Sequence, residues 1–414
     1  MLEHGPVARS TVARLTGLSP AAVTSHTLGL AEAGLVRESA EPVQSNGAGR
    51  PHVPVDIDAG RYLAGAIHIA VPGTTVALVD LRGRVVAQDW ARHRDTSPAT
   101  VIERAADALA GLLRAHAPAE ALQPPGSGPS RPPHPGPVVP IGVGVASGGW
   151  VDRESGTIVE HPMLGWRDVP VRDLLAARIG LPVLVDGHAR ALLHGERLFG
   201  SVGRGRSVLY LFVGNMVDAA FATGDQAHYG RRCQAGAIAH FPVADSRASC
   251  PCGRTGCLQA AVSERVVVQR AFEDGIIAEP ALERLVGAAM DGHRGAVGLF
   301  LERARLVGRA AAMLVDVLSP DLVIVAEPGA AVLPEVVDAI RSELAANTRT
   351  SFDVARGLVP TSFPNAVLAM AGGSIVLDAL YRDPLGQIGL AREAGRAART
   401  GPAGRVRGEA VGAR

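Results

Sequence analysis

Four side chains stand at spacings that suit a metal ion. His240, Cys250, Cys252 and Cys257 read His-x9-Cys-x-Cys-x4-Cys within HFPVADSRASCPCGRTGCLQ. Three thiolates and one imidazole are an ordinary tetrahedral set for structural zinc. Gly253 and Gly256 permit the tight turns that return Cys257 to the same ion. Four protein ligands leave no open coordination position, so the ion would brace the fold rather than activate water. Separately buried thiols are the plainer alternative, yet three thiols this close are hard to bury independently. Cys233 is a substitute ligand or a spare thiol. Thiols so clustered in 414 residues argue against a disulfide framework and for a reducing compartment.

The histidines are a weaker signal. His188 and His194 lie six apart and do not share a helical face. His161, His188 and His228 are candidates to meet in a cleft, against the plainer reading of satisfied or surface imidazoles.

The elements that must position these groups alternate along the chain. Apolar residues make up 47% and charged residues 20%, which excludes wholesale disorder. All 41 basic residues are Arg against 40 acidic ones, so net charge names no polyanionic partner. YLAGAIHIA, TTVALVDL and RVVAQDWA read as strands, and residues 98–115 as a helix. Nine prolines in residues 118–140 exclude a packed element there and mark an insertion. Strand and helix then alternate through VVPIGVGVA, VRDLLAARIG, LPVLVD, HARALLHGERLF and SVLYLFVG. LVIVAE follows, with helices at 301–318 and about 333–346 on either side. This order predicts mixed α/β sheets covered on both faces. The last residues, Arg-rich among Gly and Ala, read as a frayed tail. MLEHGPVARS has no leader-like apolar run, and no stretch reaches 18 apolar residues. A cytoplasmic protein with no membrane association is expected.

The first 55 residues read differently. Ser10–Thr16 has helical spacing, Gly17 turns the chain, and Ser19-Pro20 caps a second helix. Val23, Thr27 and Leu30 share its inner face, and Gly34 ends it. These are the pieces of a helix-turn-helix, whose second helix can enter a major groove. Ala21, Thr24, Ser25 and His26 would face the bases, and Arg50 could reach the backbone or minor groove. A small helical subdomain packed on the rest is the alternative, since four Arg against four Glu in residues 1–50 give no basic footprint.

Two motifs carry a resemblance to the ROK family of repressors and sugar kinases. CPCGRTGCLQ is similar to the family's zinc motif CxCGxxGCLE, with Gln259 at the final Glu. GPVARSTVARLTGLSPAAVTSHTLGLAEAGLV followed by GAGRP resembles the winged helix-turn-helix of its repressors. By this resemblance Ser19–Leu30 is the recognition helix and Arg50-Pro51 lies at the wing. Family repressors carry a further helix ahead of GPV, where this chain has MLEH. Many carry Arg where Ser25 stands. The implied fold is α/β: a winged helix-turn-helix over residues 1–55, then an actin-like, ribonuclease-H-like two-lobed ATPase-type fold. Its lobes would span 56–185 and 186–384, with a flexible tail over 385–414.

The family's kinase chemistry is missing from the matching positions. The motif resembling E-N-D-A-N-A-A-A-x-G-E reads Asp186-Gly187-His188-Ala189-Arg190 onward, so His188 stands where the catalytic Asp would. AGAIHIAVPGTT lacks the acidic start of the first phosphate loop. Gly214-Asn215-Met216-Val217-Asp218 replaces the glycines of the second, and Ala326-Glu327-Pro328-Gly329 replaces a Gly-Gly. The sugar contacts change too. Ala237 replaces a hydroxyl-binding Glu, Met163 an Asn, and Gly187-His188 an Asn-Asp pair. A hexose would leave buried polar groups unpaired here, at about 1–3 kcal/mol each. Met163, Trp166 and Met216 could line a more apolar pocket for another effector, or a collapsed one.

The sequence therefore predicts a ROK-type regulator, a repressor with structural Zn²⁺ and no enzymatic activity. It would bind double-stranded DNA at an inverted repeat as a homodimer or homotetramer. An interaction or assembly protein on the same scaffold is the alternative, and an ATP-dependent sugar kinase a minor one.

Overall fold

The alternating patterns form two five-stranded sheets that repeat one topology. The computed structural model describes residues 1–39, 53–116, 138–200, 202, 205–243 and 246–400. Arg50 and most of the proline-rich stretch lie outside them.

The N-terminal unit starts with α1 (Arg9–Thr16) and α2 (Pro20–Ala33). Ser19 caps α2 by accepting the Ala22 N–H at 3.2 Å, Pro20 occupies the first turn, and Gly34 ends it at φ 78°. Val23 and Thr27 are buried on its inner face. Strands β1 (Val36–Glu38) and β2 (Val55–Ile57) follow as an antiparallel pair. Ahead of α1 the chain turns, and Val7 bridges Val55.

The first sheet is an antiparallel meander, β3 (Tyr62–Ile69), β4 (Gly73–Asp80) and β5 (Val85–Arg92), extended by parallel strands. Helix α3 (Pro98–His116) covers one face, and β6 (Val139–Ser147) joins beside β3. A three-stranded ribbon, β7 (Trp150–Asp152), β8 (Thr157–His161) and β9 (Trp166–Val169), leads to α4 (Val171–Ile179) and then β10 (Val183–Gly187). The order is β10-β6-β3-β4-β5. Every residue of β3 and β4 is buried, as expected of strands covered on both faces.

Helix α5 (His188–Phe199) leads to the second meander, β11 (Val208–Val213), β12 (Val217–Thr223) and β13 (Gln226–Ala227). After the cysteine loop come α6 (Leu258–Val262), α7 (Glu264–Glu273), α8 (Leu282–Met290) and α9 (Arg294–Leu318). Strand β14 (Leu322–Ala326) pairs parallel to β11, and α10 (Pro334–Asn347) returns to α11 (Val354–Gly357) and β15 (Leu358–Pro360). The order β13-β12-β11-β14-β15 mirrors the first sheet. The chain ends in α12 (Val367–Arg382) and α13 (Pro384–Thr400).

Helices α5 and α12 lie between the sheets, and one buried cluster joins residues of both sheets through them. Residues 367–382, counted in the second lobe from sequence, pack on the first sheet. The reason is close approach: a Cβ on Gly144 would sit 2.0 Å from the Gly372 carbonyl oxygen, so only glycines let α12 press on β6. The expected tail from 385 is corrected as far as residue 400, and residues 401–414 lie outside the described residues. The stretch up to 400 carries α13, whose Ile388 and Ala391 are buried at 2% and 5% exposure, because two apolar residues one turn apart give it a face to bury.

Candidate functional site

The cysteine cluster forms as a compact knuckle. Ser249 bridges Thr255 and Pro242 bridges Cys257, folding the loop back on itself. The Cys250 N–H donates to the Arg254 carbonyl at 2.8 Å, and Gly253 N–H to the Cys250 carbonyl at 2.9 Å. Gly256 has φ 72°, and a Cβ there would lie 2.7 Å from the Ser246 carbonyl oxygen. The donor atoms of His240, Cys250, Cys252 and Cys257 all lie within 4.8 Å of one another. Cys250 Sγ is 3.7 Å from His240 Nδ1, and Cys252 Sγ is 3.7 Å from Cys257 Sγ. A tetrahedron with zinc–sulfur arms of about 2.3 Å has edges near 3.8 Å, so these separations fit one ion. Hydrogen bonding with Arg254 draws the Cys252 thiol down to about 7. Burial first, then its neighbours, push Cys257 up to about 11. The cluster can hold a metal ion. Cys233 lies apart, buried on the wall of the neighbouring cleft.

That cleft has a volume of about 450 Å³ and lies between the sheets. Gly187, His188, Met216 and Ala237 line it, as does His240 of the cluster. Met163 does not; it is half-buried on the turn before β9, and Pro162 reaches the wall instead. Trp166 is buried in the first-lobe core with Nε1 donating to the Thr96 carbonyl at 2.6 Å. The aromatic side chain was needed to fill that core, so it adds nothing to a ligand pocket.

At the end of β10 the chain enters α5 and places His188 under the cleft. Its Nε2 lies 2.7 Å from Asp218 Oδ2, on the strand after the β11–β12 turn. Its ring packs on Phe212 at 4.0 Å between centroids. The histidines that meet here are His68, His161 and His188. His228 instead stacks on Phe221 and bonds Thr223. His68 was missed because a lone histidine in an apolar strand reads as core. Arg190 was also missed. It is buried, pairs with Asp186 at 2.7 Å and donates to the Cys233 carbonyl at 3.0 Å, closing the end of the cleft over Gly187.

Two amides of the turn Gly214–Asp218 are held by the protein. Gly214 N–H donates to the Met216 carbonyl at 3.0 Å, and Val217 N–H to Gln259 Oε1 at 2.8 Å. Asn215 donates to Glu264 at 2.7 Å. At the start of the Gly329–Ala331 turn, Glu327 Oε2 takes the Ala330 N–H at 2.6 Å. Its other oxygen pairs with Arg303 at 2.8 Å, with both side chains fully enclosed. An internal carboxylate therefore occupies donors that an incoming phosphate would need. Burial first raises both Glu264, to about 7, and Glu327.

Ala21, Thr24, Ser25 and His26 are all exposed on α2, opposite buried Val23 and Thr27. The Thr24 hydroxyl donates back to the Pro20 carbonyl at 2.9 Å. Among the described residues no helix is long and apolar enough to cross a membrane.

Fold comparisons agree with this architecture. A solved ROK family transcriptional regulator, a homolog of the E. coli MLC protein, superposes with TM-score 0.68 at 19% identity, covering 95% of each chain. A ROK family glucokinase from Streptomyces griseus, solved with glucose and AMPPNP, gives TM-score 0.62 at 22% identity. It covers 76% of this chain and 98% of its own. The fold is thus the α/β fold of these two solved structures. A transcriptional regulator of Mycobacterium tuberculosis is 32% identical over 402 residues, covering 93% of this chain and 85% of its own. The ROK family profile matches residues 136–367, and the chain belongs to the ROK family.

Proposed function

We propose that the chain is a transcriptional regulator that binds operator DNA as a repressor and has no sugar kinase activity. The observation that carries this reading is the capped helix α2, which buries Val23 and Thr27 while presenting Ala21, Thr24, Ser25 and His26 to solvent. The unit acts as a winged helix-turn-helix, with α2 in the major groove and Arg50 at the wing. His240, Cys250, Cys252 and Cys257 hold a structural zinc ion beside the effector cleft. The cytoplasmic dimer reads an inverted repeat. An effector other than an ordinary hexose shifts the balance between two spacings of the recognition helices.

The hydrogen bonds around the cleft speak against kinase activity. His188 is engaged with Asp218, and the amides at Val217 and Ala330 are already spent on Gln259 and Glu327. Phosphate would meet carboxylates in place of free donors. DNase footprinting of the chain's own upstream region tests the reading. A symmetric protected repeat, lost in Ser25→Glu, is the expected result. Absence of protection would favour an interaction protein on this scaffold, and phosphate transfer from ATP to a hexose would restore the kinase.

A further inference from the structure

Beneath the cleft lies a smaller cavity of about 70 Å³. It shares His188 and Met216 with the cleft, and His68, His161, Phe212 and Glu264 also line it. Two of these residues carry a buried ring nitrogen without a hydrogen-bond partner: His68 Nδ1 and His161 Nε2. Leaving a buried polar group unpaired costs about 1–3 kcal/mol. Two such atoms on residues of one cavity point to a partner.

The neighbours assign the protons. A carboxylate oxygen only accepts, so His188 donates its Nε2–H to Asp218 at 2.7 Å. In the neutral ring His188 Nδ1 is then a lone pair, which accepts the His68 Nε2–H at 3.4 Å. His68 Nδ1 is left a bare acceptor. His161 Nδ1 accepts the Leu164 N–H at 3.2 Å, so its Nε2 carries a hydrogen with no acceptor. The residues lining the cavity thus carry one unsatisfied acceptor and one unsatisfied donor, on rings with 2% and 0% exposure.

The surroundings are polar, and their ionisable groups are paired or held largely neutral by burial. Burial lowers His68 well below the usual imidazole value and His161 to about 4, so both are neutral at pH 7. Burial pushes the Glu264 carboxyl up to about 7, and its Oε2 is taken by Asn215. Asp218 is taken by His188. An anion would find no free cation, and an ammonium only Glu264, which burial keeps from full ionisation at pH 7.

We propose that this cavity binds a small uncharged group bearing both a donor and an acceptor, such as a carboxamide, at the head of a ligand whose apolar body lies along Met216 in the outer cleft. The carbonyl accepts from His161 Nε2–H, and the amide N–H donates to His68 Nδ1. The site rests on the cleft being an effector site; it does not depend on DNA binding.

The full-length chain is titrated with propanamide, propanoate and propylammonium, three probes of one size and different charge. Binding is followed by the ¹⁵N shifts of the imidazoles and by the melting temperature. Propanamide alone should give a saturable shift of the His68 and His161 ring nitrogens and raise the melting temperature. His161→Phe should weaken it about tenfold or more, while His161→Gln, which keeps an N–H donor, should weaken it less. Should His161→Phe fail to fold, the ring-nitrogen shifts of the unaltered chain still decide. Equal responses to all three probes, no response, or shifts confined to other histidines would overturn the proposal. A saturable propanamide response in a chain that ignores DNA would keep this site and remove the regulator reading.

Discussion

The hydroxyl of Tyr62, on the first strand of the first sheet, donates to the carbonyl of Ala33 at the end of α2 over 2.5 Å. Tyr62 and Ala33 are 2% and 7% exposed and share a core with Ile388 of α13. The N-terminal unit is therefore packed into the first lobe and not tethered beside it. Buried contacts thus join that lobe to the α2 C-terminus.

Tyr62→Phe keeps the ring and deletes this bond. Urea unfolding should show a loss of about 1 kcal/mol. Amide exchange at Leu30–Gly34 should quicken more than in the second sheet. Unchanged exchange there would mean that apolar packing alone holds the unit.

Cys257→Ser removes a buried thiol of the cluster. Metal analysis should fall from about one zinc ion per chain to nearly none, with a stability loss above about 3 kcal/mol. Chelation of the unaltered chain should reproduce the destabilisation. A chain purified without metal and equally stable would leave the thiols as separate core residues.

Much of this architecture is legible in sequence because its signals are local. The Ser19-Pro20 cap, Gly34 and the Val23/Thr27 face give α2, and the apolar runs give β3, β4, β11 and β14. The spacing of His240 and the cysteines gives the cluster. What stays hidden depends on partners far along the chain. His68 meets His188 across 120 positions, and Glu196 accepts from Thr361 across 165. Met163 missed the cleft because one residue's shift along the β8–β9 turn brings Pro162 to the wall. The α13 helix was obscured by the Arg, Gly and Ala around two apolar positions.

Arg303 and Glu327 form an ion pair with 1% and 0% side-chain exposure. Glu327→Ala strands a buried guanidinium and should cost about 3–5 kcal/mol. The double variant Arg303→Met, Glu327→Leu should recover most of that loss. Denaturant unfolding of the three chains measures the difference; a double variant no more stable than Glu327→Ala would show that the loss does not come from the stranded guanidinium.

Two buried groups oppose each other in their pH dependence. The His161 pKa is lowered to about 4, so its contribution is full above the unfolded value of 6.5 and is lost as pH falls toward 4. The Glu264 pKa is raised to about 7, so its protonated form favours folding at low pH, and that contribution is lost between 4.5 and 7 as pH rises. Glu264→Gln removes the second effect. Its stability should climb with pH between 4 and 6.5 more steeply than that of the unaltered chain, by up to about 3 kcal/mol across the window. Parallel curves would remove Glu264 from the balance.

Exposed groups on α2 carry the base contacts in this account, so His26→Ala and Thr24→Ala should each cost about 1–3 kcal/mol of sequence discrimination without altering thermal stability. The measurement that tests the central claim most directly is fluorescence anisotropy of the full-length, zinc-loaded chain on its own upstream duplex and on a scrambled duplex, across a salt series. Binding to the upstream duplex should be about 10³-fold tighter or more at physiological salt and should weaken as salt rises. Equal affinity for the two duplexes, or no binding to either, would contradict it.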